Sequence, residues 1–214
     1  MESFDAEWAA APEAVRRCLA LAYEALVAGG LAVGSVMTDA SGAVLAEGRN
    51  HAYDDGPGDG PLRGTPLAHA EMNALGAART GWDLSLLSLW STQEPCSMCT
   101  AAAAFTGVGA VRYVAPDPWS LAHGSVGSSG VAGMGRQSWL VAANVMFLKS
   151  VSSAARGAEP ATLVRCRELE PETVGLHDSL PPGLPAAADF ASWLAELWPA
   201  IGSAATVRRH RVGN

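Results

Sequence analysis

The sequence predicts an α/β fold, because helical and strand-like segments alternate along its first half. Residues 12–28 carry apolar side chains at helical spacing, with Arg and Glu between them, as an amphipathic helix does. Two short apolar segments follow, joined by Asp-Ala-Ser-Gly at residues 39–42, which has the composition of a hairpin turn. Hydrophobic residues make up 49% of the 214 residues, enough apolar material for a well-buried core.

In chain order, the same criteria place five helices and five strands, with Gly-rich loops at residues 50–66 and 116–135. We predict helices over residues 12–28, 67–79, 96–105, 138–152 and 188–201, and strands over 31–38, 43–47, 84–91, 110–115 and 161–169. The second loop is long enough to serve as a lid. We expect residues 1–118 to form the core of one domain and residues 119–214 to complete its sheet and add packing helices.

Two short motifs carry the chemistry: His-Ala-Glu at residues 69–71 and Pro-Cys-Ser-Met-Cys at residues 95–99. One imidazole and two thiolates suit a tetrahedral zinc, and three protein ligands leave a fourth position for water, as in catalytic sites. A carboxylate two residues beyond the histidine is then available to carry a proton. We therefore predict a zinc site with the ligands His69, Cys96 and Cys99, and the catalytic residue Glu71.

Both motifs lie where helices are predicted to begin. His69 and Glu71 fall within the first turn or so of one helix, and Pro95 opens the next. Cys96 and Cys99 are three residues apart, so they share a helix face. The positive end of a helix also lowers the pKa of a thiol and favours the thiolate that zinc binds.

Simpler interpretations of these residues compete with a catalytic zinc. A Cys-x-x-Cys pair can be a redox pair, and a single histidine is more often structural than a ligand. A closed structural zinc would need a fourth ligand nearby, yet neither Cys18 nor Cys166 has a neighbouring ligand at finger-like spacing. Four cysteines, two of them assigned to metal, do not form a disulfide framework. Catalytic zinc is the interpretation that accounts for both motifs.

Charge and composition disfavour nucleic acid and membranes as partners. The net charge is −7, and Lys149 is the one lysine in the chain. The one basic cluster, at residues 208–211, is interpreted as a solvated, frayed tail. The N-terminal segment lacks the basic region of a signal peptide, and no apolar run reaches a transmembrane length, so we expect a cytoplasmic protein. Trp193 and Trp198 are interpreted as packing residues.

The segment from Gly34 to Asn50, the His-Ala-Glu motif and the sequence Glu-Pro-Cys-Ser-Met-Cys at residues 94–99 together resemble the cytidine deaminase-like superfamily. Within it, the last motif most resembles guanine deaminases and tRNA adenosine deaminases, with cytosine deaminases of the fungal type close behind. The resemblance covers residues 12–118. It implies a three-layer α-β-α fold with a five-stranded mixed sheet and helices on both faces, one Zn2+ per chain and a homodimer.

The resemblance also implies substrate contacts. Asn50 resembles the asparagine that contacts the substrate, and the backbone around Ala70 and Pro95 would meet the heterocycle and its leaving amine. Asp117 lies where relatives place a loop residue near the pocket. Two of these residues also have a purely structural interpretation. In that interpretation Asn50 serves only to turn the chain, and Asp117, between two prolines, serves only to form an Asx-type turn.

Together these features predict a hydrolytic zinc deaminase that converts an exocyclic amine of a small nucleobase, nucleoside or related heterocycle to a carbonyl. Guanine-type and cytosine-type compounds are the expected substrates. Two alternatives remain. A tRNA adenosine deaminase is disfavoured by the acidic balance. A non-catalytic zinc-bearing module of the same fold is disfavoured by the intact Glu71.

Overall fold

The computed structural model describes residues 3–54, 60–116, 136–155, 158–182 and 189–213. Within these ranges the helices are α1 (Phe4–Ala10), α2 (Glu13–Val27), α3 (Ala70–Gly76), α4 (Ser97–Thr106), α5 (Gln137–Ala154), α6 (Ala161–Leu169), α7 (Pro171–Ser179) and α8 (Phe190–Val212). The strands are β1 (Gly34–Thr38), β2 (Val44–Arg49), β3 (Ser88–Gln93) and β4 (Ala110–Ala115), with a 3-10 turn at Leu84–Leu86. None of the described helices is long and apolar enough to cross a membrane.

The strands form one mixed sheet in the order β2-β1-β3-β4. β1 is antiparallel to both β2 and β3, and β3 is parallel to β4. In the last pair Ser91 lies opposite Tyr113 and Gln93 opposite Ala115. The α/β prediction is therefore confirmed, whereas the five-stranded sheet is wrong: the sheet has four strands in the described part of the chain.

The fifth strand was expected at residues 161–169, and this segment is the helix α6. Its buried apolar side chains, Leu163 and Cys166, are three residues apart, while Val164 between them is half exposed. This is helical spacing, and it lets the two side chains pack against Leu148 and Val174. In its described ranges the segment after residue 118 contains helices and no strand.

Helices cover both faces of the sheet, as the resemblance implies. Neighbouring residues of β1 point to opposite sides: Val36 packs with Cys18 and Leu21 of α2, whereas Met37 packs with Ala74 of α3 and Ala103 of α4. The larger apolar cluster lies on the α2 side, where α5 and α8 also pack. The α3 and α4 side carries the predicted zinc motifs.

Two glycines let the helices approach the sheet closely. A Cβ atom on Gly34 would lie 2.2 Å from the carbonyl oxygen of Cys18 in α2. A Cβ atom on Gly48 would lie 2.6 Å from the carbonyl oxygen of Ala70 and 2.6 Å from the backbone nitrogen of Ala74. Any larger residue at position 48 would push α3 outward, and with it the first turn that carries Glu71.

The last helix corrects the prediction for the C-terminal basic cluster. Residues 208–211 are helical, and Arg208 is buried with its guanidinium paired to the carboxylate of Glu170. Arg211 pairs with Glu172 at 2.7 Å. In the sequence this cluster resembles a solvent-exposed tail, because the acidic residues that pair with its arginines lie almost 40 positions earlier in the chain.

Aromatic side chains join the first and last helices. Trp198 of α8 lies 4.6 Å from Trp139 of α5, and Trp8 of α1 lies 5.7 Å from Trp139, measured between ring centroids. Trp193 lies 5.2 Å from Tyr23 of α2. The packing role predicted for Trp193 and Trp198 is confirmed. The short helices α1 and α7, which the sequence analysis did not predict, complete this side of the molecule.

Candidate active site

The His-Ala-Glu motif lies at the start of α3. His69 is the N-cap residue, in extended conformation with φ −67° and ψ 154°, so its ring stands before the first helical turn. Asn73, one turn later, donates a hydrogen bond from Nδ2 to the carbonyl oxygen of Arg49 at 2.9 Å. This bond ties α3 to the end of β2 and holds the start of the helix in place.

The cysteine motif lies at the start of α4. Cys96 is the N-cap residue, and Cys99 is buried in the first turn. The Thr100 hydroxyl donates to the carbonyl oxygen of Pro95 at 3.2 Å, and the Glu94 N–H donates to the carbonyl oxygen of Ala115 at 2.8 Å. The second bond continues the pairing of β3 with β4 up to the motif, which fixes where α4 begins.

The three predicted zinc ligands form a nearly equilateral triangle. The Nδ1 atom of His69 lies 3.6 Å from each of the two sulfur atoms, and the sulfurs of Cys96 and Cys99 lie 3.6 Å apart. A tetrahedral zinc, with bonds of about 2.3 Å to sulfur and about 2.1 Å to nitrogen, separates its ligand atoms by about 3.6 to 3.8 Å. The residues therefore fit zinc. Within the described ranges no other group of three His, Cys, Asp or Glu residues offers such a set.

The electrostatics of the cysteine pair favour a thiolate. A hydrogen bond from Cys99, together with the nearby imidazole of His69, lowers the pKa of Cys96 to about 4. Cys99 keeps the shared proton, and its pKa is raised by that hydrogen bond and by burial. One sulfur of the pair is thus ionised at neutral pH, as a ligand for a divalent cation must be.

Glu71 is buried beside these three residues but is not one of the predicted zinc ligands. The Ser91 hydroxyl of β3 donates to its Oε1 at 2.7 Å, and its Oε2 lies 3.5 Å from the sulfur of Cys99. Burial raises the pKa of this carboxyl group, although the hydrogen bond from Ser91 acts in the opposite direction. Ser91, which the sequence reading did not single out, fixes one carboxylate oxygen and leaves the other facing the ligands.

A cavity of about 280 Å3 opens at this point, and residues from both halves of the chain line it. His69, Glu71 and Cys96 form its floor with apolar walls from Leu31, Val33 and Phe147 and polar groups from Asn50, Gln93 and Glu94. Phe147 comes from α5 in the extension and packs against Ala70 at the start of α3. The sequence analysis did not predict Gln93 or Phe147 as site residues. For Gln93 a signal was available: Ser91 and Gln93 are polar residues at alternate positions near the end of an apolar strand, so both side chains point to the same face.

Three of the four residues predicted to contact the substrate lie at or beside the cavity, and the fourth is outside the described residues. Asn50 is buried in the cavity wall, and its Oδ1 also accepts a hydrogen bond from the N–H of Ala52 at 3.0 Å, so it both lines the site and turns the chain. Ala70 and Pro95 are buried next to the metal ligands. Asp117 lies outside the described residues, as does most of the loop at 116–135.

A buried carboxylate anchors the loop that follows Asn50. Asp54 accepts hydrogen bonds from Arg49 at 2.7 Å and from His51 at 2.9 Å, and Arg63 lies 3.5 Å away. Burial alone would raise the pKa of Asp54, but its hydrogen bonds and ion pairs with Arg49 and His51 lower it below the usual value. Through these contacts Asp54 and Arg63, which lie on either side of the segment at 55–59, are held against Arg49 at the end of β2. Asn50, the next residue, is held in place with them.

Residues 10–115 match the family described as the cytidine and deoxycytidylate deaminase zinc-binding region. A curated relative, tRNA(Ile)-lysidine synthase from Deinococcus radiodurans, is 32% identical over 155 residues, which is 71% of this chain and 23% of that protein. The chain therefore spans about a quarter of the length of this relative.

Among solved structures, guanine deaminase from Bacillus subtilis is 30% identical, covering 54% of this chain and 70% of that chain, with a TM-score of 0.42. The protein NE0047 in complex with 2,6-diaminopurine is 20% identical and covers 71% of this chain and 87% of that one, with a TM-score of 0.52. The second similarity concerns the fold.

Proposed function

Because the chain belongs, through residues 10–115, to the cytidine deaminase-like superfamily, we propose that it is a zinc-dependent hydrolytic deaminase of a small heterocycle. The reaction replaces an exocyclic amine of a nucleobase, nucleoside or related compound by a carbonyl and releases ammonia. One observation carries the proposal: a buried carboxylate, Glu71, lies beside a triangle of one imidazole and two sulfurs at zinc spacing. A structural zinc site would not require that carboxylate.

His69, Cys96 and Cys99 would hold the metal. When bound, zinc supplies a Lewis acid with an open position that lowers the pKa of water there. Glu71 moves the protons: its Oε2, which faces the ligands, takes one proton from the attacking water and delivers it to a ring nitrogen. It then takes the second proton from the oxygen that has added to the ring and delivers it to the leaving amine. Burial suits this task, because it brings the pKa of a carboxyl group closer to neutrality.

The rest of the cavity would orient the ring. In our proposal Asn50 contacts the substrate from one wall, while the backbone at Ala70 and Pro95 meets the heterocycle and the departing amine. Phe147 offers an aromatic side chain against a flat ring. Asp117 is proposed as a further contact from the loop after β4.

Charge supports a small molecule as the substrate. The net charge is −7. Most arginines of the described residues are neutralised by acidic partners, namely Arg17, Arg49, Arg63, Arg136, Arg165, Arg167, Arg208 and Arg211. A protein that binds a polynucleotide needs unpaired cations along its surface to replace the counterions of the phosphates. A cavity of about 280 Å3 is also in the size range for one small ligand.

A second candidate is a deaminase that acts on tRNA adenosine. The observation that favours it is the similarity to a relative whose name refers to tRNA(Ile). Such an enzyme would need to present the same site to a nucleotide flipped out of an anticodon loop. For either candidate we propose a cytoplasmic homodimer with one zinc per chain.

The test is a coupled ammonia assay on the purified wild-type protein with its zinc content measured in parallel. The panel is guanine, guanosine, cytosine, cytidine, adenosine and a tRNA anticodon stem-loop. We expect about one zinc per chain and ammonia release from at least one of the small molecules. Turnover confined to the stem-loop would establish the second candidate instead, and a folded protein that cannot take up zinc would refute both.

A further inference from the structure

Gln93 contributes a buried amide to the cavity, and this amide is only partly satisfied. The residue is 3% exposed and lines the same cavity as Glu71 and His69. Its Nε2 donates a hydrogen bond to Oδ1 of Asn144 at 3.2 Å, whereas its Oε1 has no hydrogen-bond partner among the described residues. A buried acceptor without a donor is costly, and such groups in native proteins are usually satisfied by something that the protein binds.

Asn144 determines which atom of the amide is left over. It is 1% exposed, and it comes from α5, so the extension supplies the group that orients a residue of the catalytic half. As long as Nε2 donates to Asn144, the atom left for a ligand is an acceptor. The last torsion of a glutamine is soft, so a small rotation suffices to turn Oε1 toward a molecule that fills the cavity.

The position of Gln93 relative to Glu71 follows from the strand. Ser91, which donates to the Glu71 carboxylate, is two residues earlier in β3. Side chains two residues apart in a strand point to the same face and are about 6.7 Å apart. The strand therefore places the amide on the same face of the sheet as Ser91, which contacts the Glu71 carboxylate, and both Gln93 and Glu71 line the cavity.

We propose that Oε1 of Gln93 accepts a hydrogen bond from the substrate's ring N–H at the nitrogen that carries the sugar in a nucleoside, and that this bond selects a free base over its nucleoside. The inference rests on the proposed deaminase function of the same cavity. It narrows the substrate class without choosing between purines and pyrimidines.

The chemistry of nucleobases gives this acceptor its selectivity. In cytosine this ring N–H is at N1, and in guanine and adenine it is at N9 of the five-membered ring. A nucleoside carries ribose at that same nitrogen, so the donor is absent. Binding a nucleoside would therefore leave Oε1 of Gln93 unpaired and would also bring a sugar into a cavity of about 280 Å3.

The decisive test changes the ligand and leaves the protein intact. Guanine is compared with 9-methylguanine, and cytosine with 1-methylcytosine, by kcat/KM of the zinc-loaded wild-type enzyme in the ammonia assay. For whichever base is turned over, we expect the N-methyl compound to be worse by ~10-fold or more, because it lacks the donor. Equal turnover of a base and its N-methyl analogue would overturn the inference and leave the deaminase proposal standing.

A variant tests whether Gln93 is the residue responsible. Gln93→Met keeps the length of the side chain and removes the acceptor, so the preference for the free base should fall to within about 2-fold. Gln93→Glu keeps an oxygen at the same distance and should retain the preference. Equilibrium binding of the same compounds to Glu71→Gln protein, which we expect to bind without turnover, separates recognition from chemistry. An unchanged preference in Gln93→Met would assign the selectivity to another residue. Absence of ammonia release from every compound, including the stem-loop, would remove the deaminase proposal and this inference with it.

Discussion

The two halves of the molecule use buried polar residues for different purposes. Between residues 10 and 115 the buried carboxylate Glu71 lines a cavity and lies 3.5 Å from the sulfur of Cys99. Among the described residues after 136, the buried carboxylate Glu170 pairs with Arg208 and fastens α8 to the start of α7. Both carboxylates are almost fully buried, but their neighbours differ: Glu71 lines the cavity beside the cysteines, and Glu170 faces a guanidinium. A buried carboxylate therefore marks either a functional site or a structural ion pair, and the groups around it determine which of the two it is.

The halves meet at the cavity. Residues 10–115 provide the candidate metal ligands and the proposed proton carrier, and α5 provides Phe147 and Asn144. Reaction type and substrate choice would therefore come from different parts of the chain. This division can be tested by changing matched residues in the two halves.

The cysteines should show the largest difference. Cys99→Ala removes a predicted ligand, so we expect zinc content to drop from about one per chain to near zero and deamination to fall to background. Cys166→Ala in α6, also a buried cysteine outside any disulfide, should keep both zinc and activity. Metal analysis and the ammonia assay on the two purified variants provide the measurement. Zinc retained at full occupancy in Cys99→Ala would contradict the ligand assignment.

The buried carboxylates come next. We expect Glu71→Gln to keep its fold and its zinc and to lose at least ~10²-fold in kcat, the scale of general acid–base catalysis, because an amide cannot shuttle the proton. Steady-state kinetics with parallel metal analysis and circular dichroism would measure this. If Glu71→Gln turned substrate over at the wild-type rate, another group would have to carry the proton.

Glu170→Gln should have the opposite profile. The substitution leaves the buried guanidinium of Arg208 without its counter-charge, so we expect unfolding in urea to show a loss of about 3 kcal/mol in stability. The kcat of the protein that remains folded should stay within about 2-fold of wild type. A loss of activity without any loss of stability would mean that the extension takes part in the chemistry.

The smallest effect concerns the neighbouring pair of Glu172 and Arg211. The hydrogen bond from Arg211 lowers the pKa of Glu172 below its ordinary value of 4.5. The pair therefore stabilises the fold above that pH, and the contribution is lost as the pH falls through the lowered pKa of the folded state. We expect wild type to exceed Glu172→Gln in stability by no more than about 1 kcal/mol at pH 7, and the difference to vanish at strongly acidic pH. Urea unfolding of both proteins at several pH values checks this, and a gap that widened on acidification would contradict it.

The predicted ligands illustrate how far a local pattern reaches. His69 is the N-cap of α3 and Cys96 the N-cap of α4, so their positions follow from helix-start signals within a few residues. The hairpin of β1 and β2 and the α/β class follow equally from local patterns. The same reasoning failed at residues 161–169, because short apolar segments satisfy both helical and strand patterns.

Residues that act across long sequence separations could not be found in this way. Ser91 reaches Glu71, and Gln93 reaches Asn144 51 positions later, through contacts that no spacing rule describes. The basic cluster at 208–211 was misread for the same reason, since Glu170 is its partner only in the folded chain.

The sequence by itself determined the metal chemistry expected of this protein, because donor type and helix-start spacing are local properties that survive any arrangement of the remaining chain. Tertiary structure alone decided the shape and polarity of the cavity. It packed α5 against α2 and β4, brought Phe147 against the start of α3 and left one amide oxygen of Gln93 without a hydrogen-bond partner among the described residues. Such features depend on which distant side chains meet when the apolar faces of helices and sheet are buried together, and that packing is a property of the whole chain.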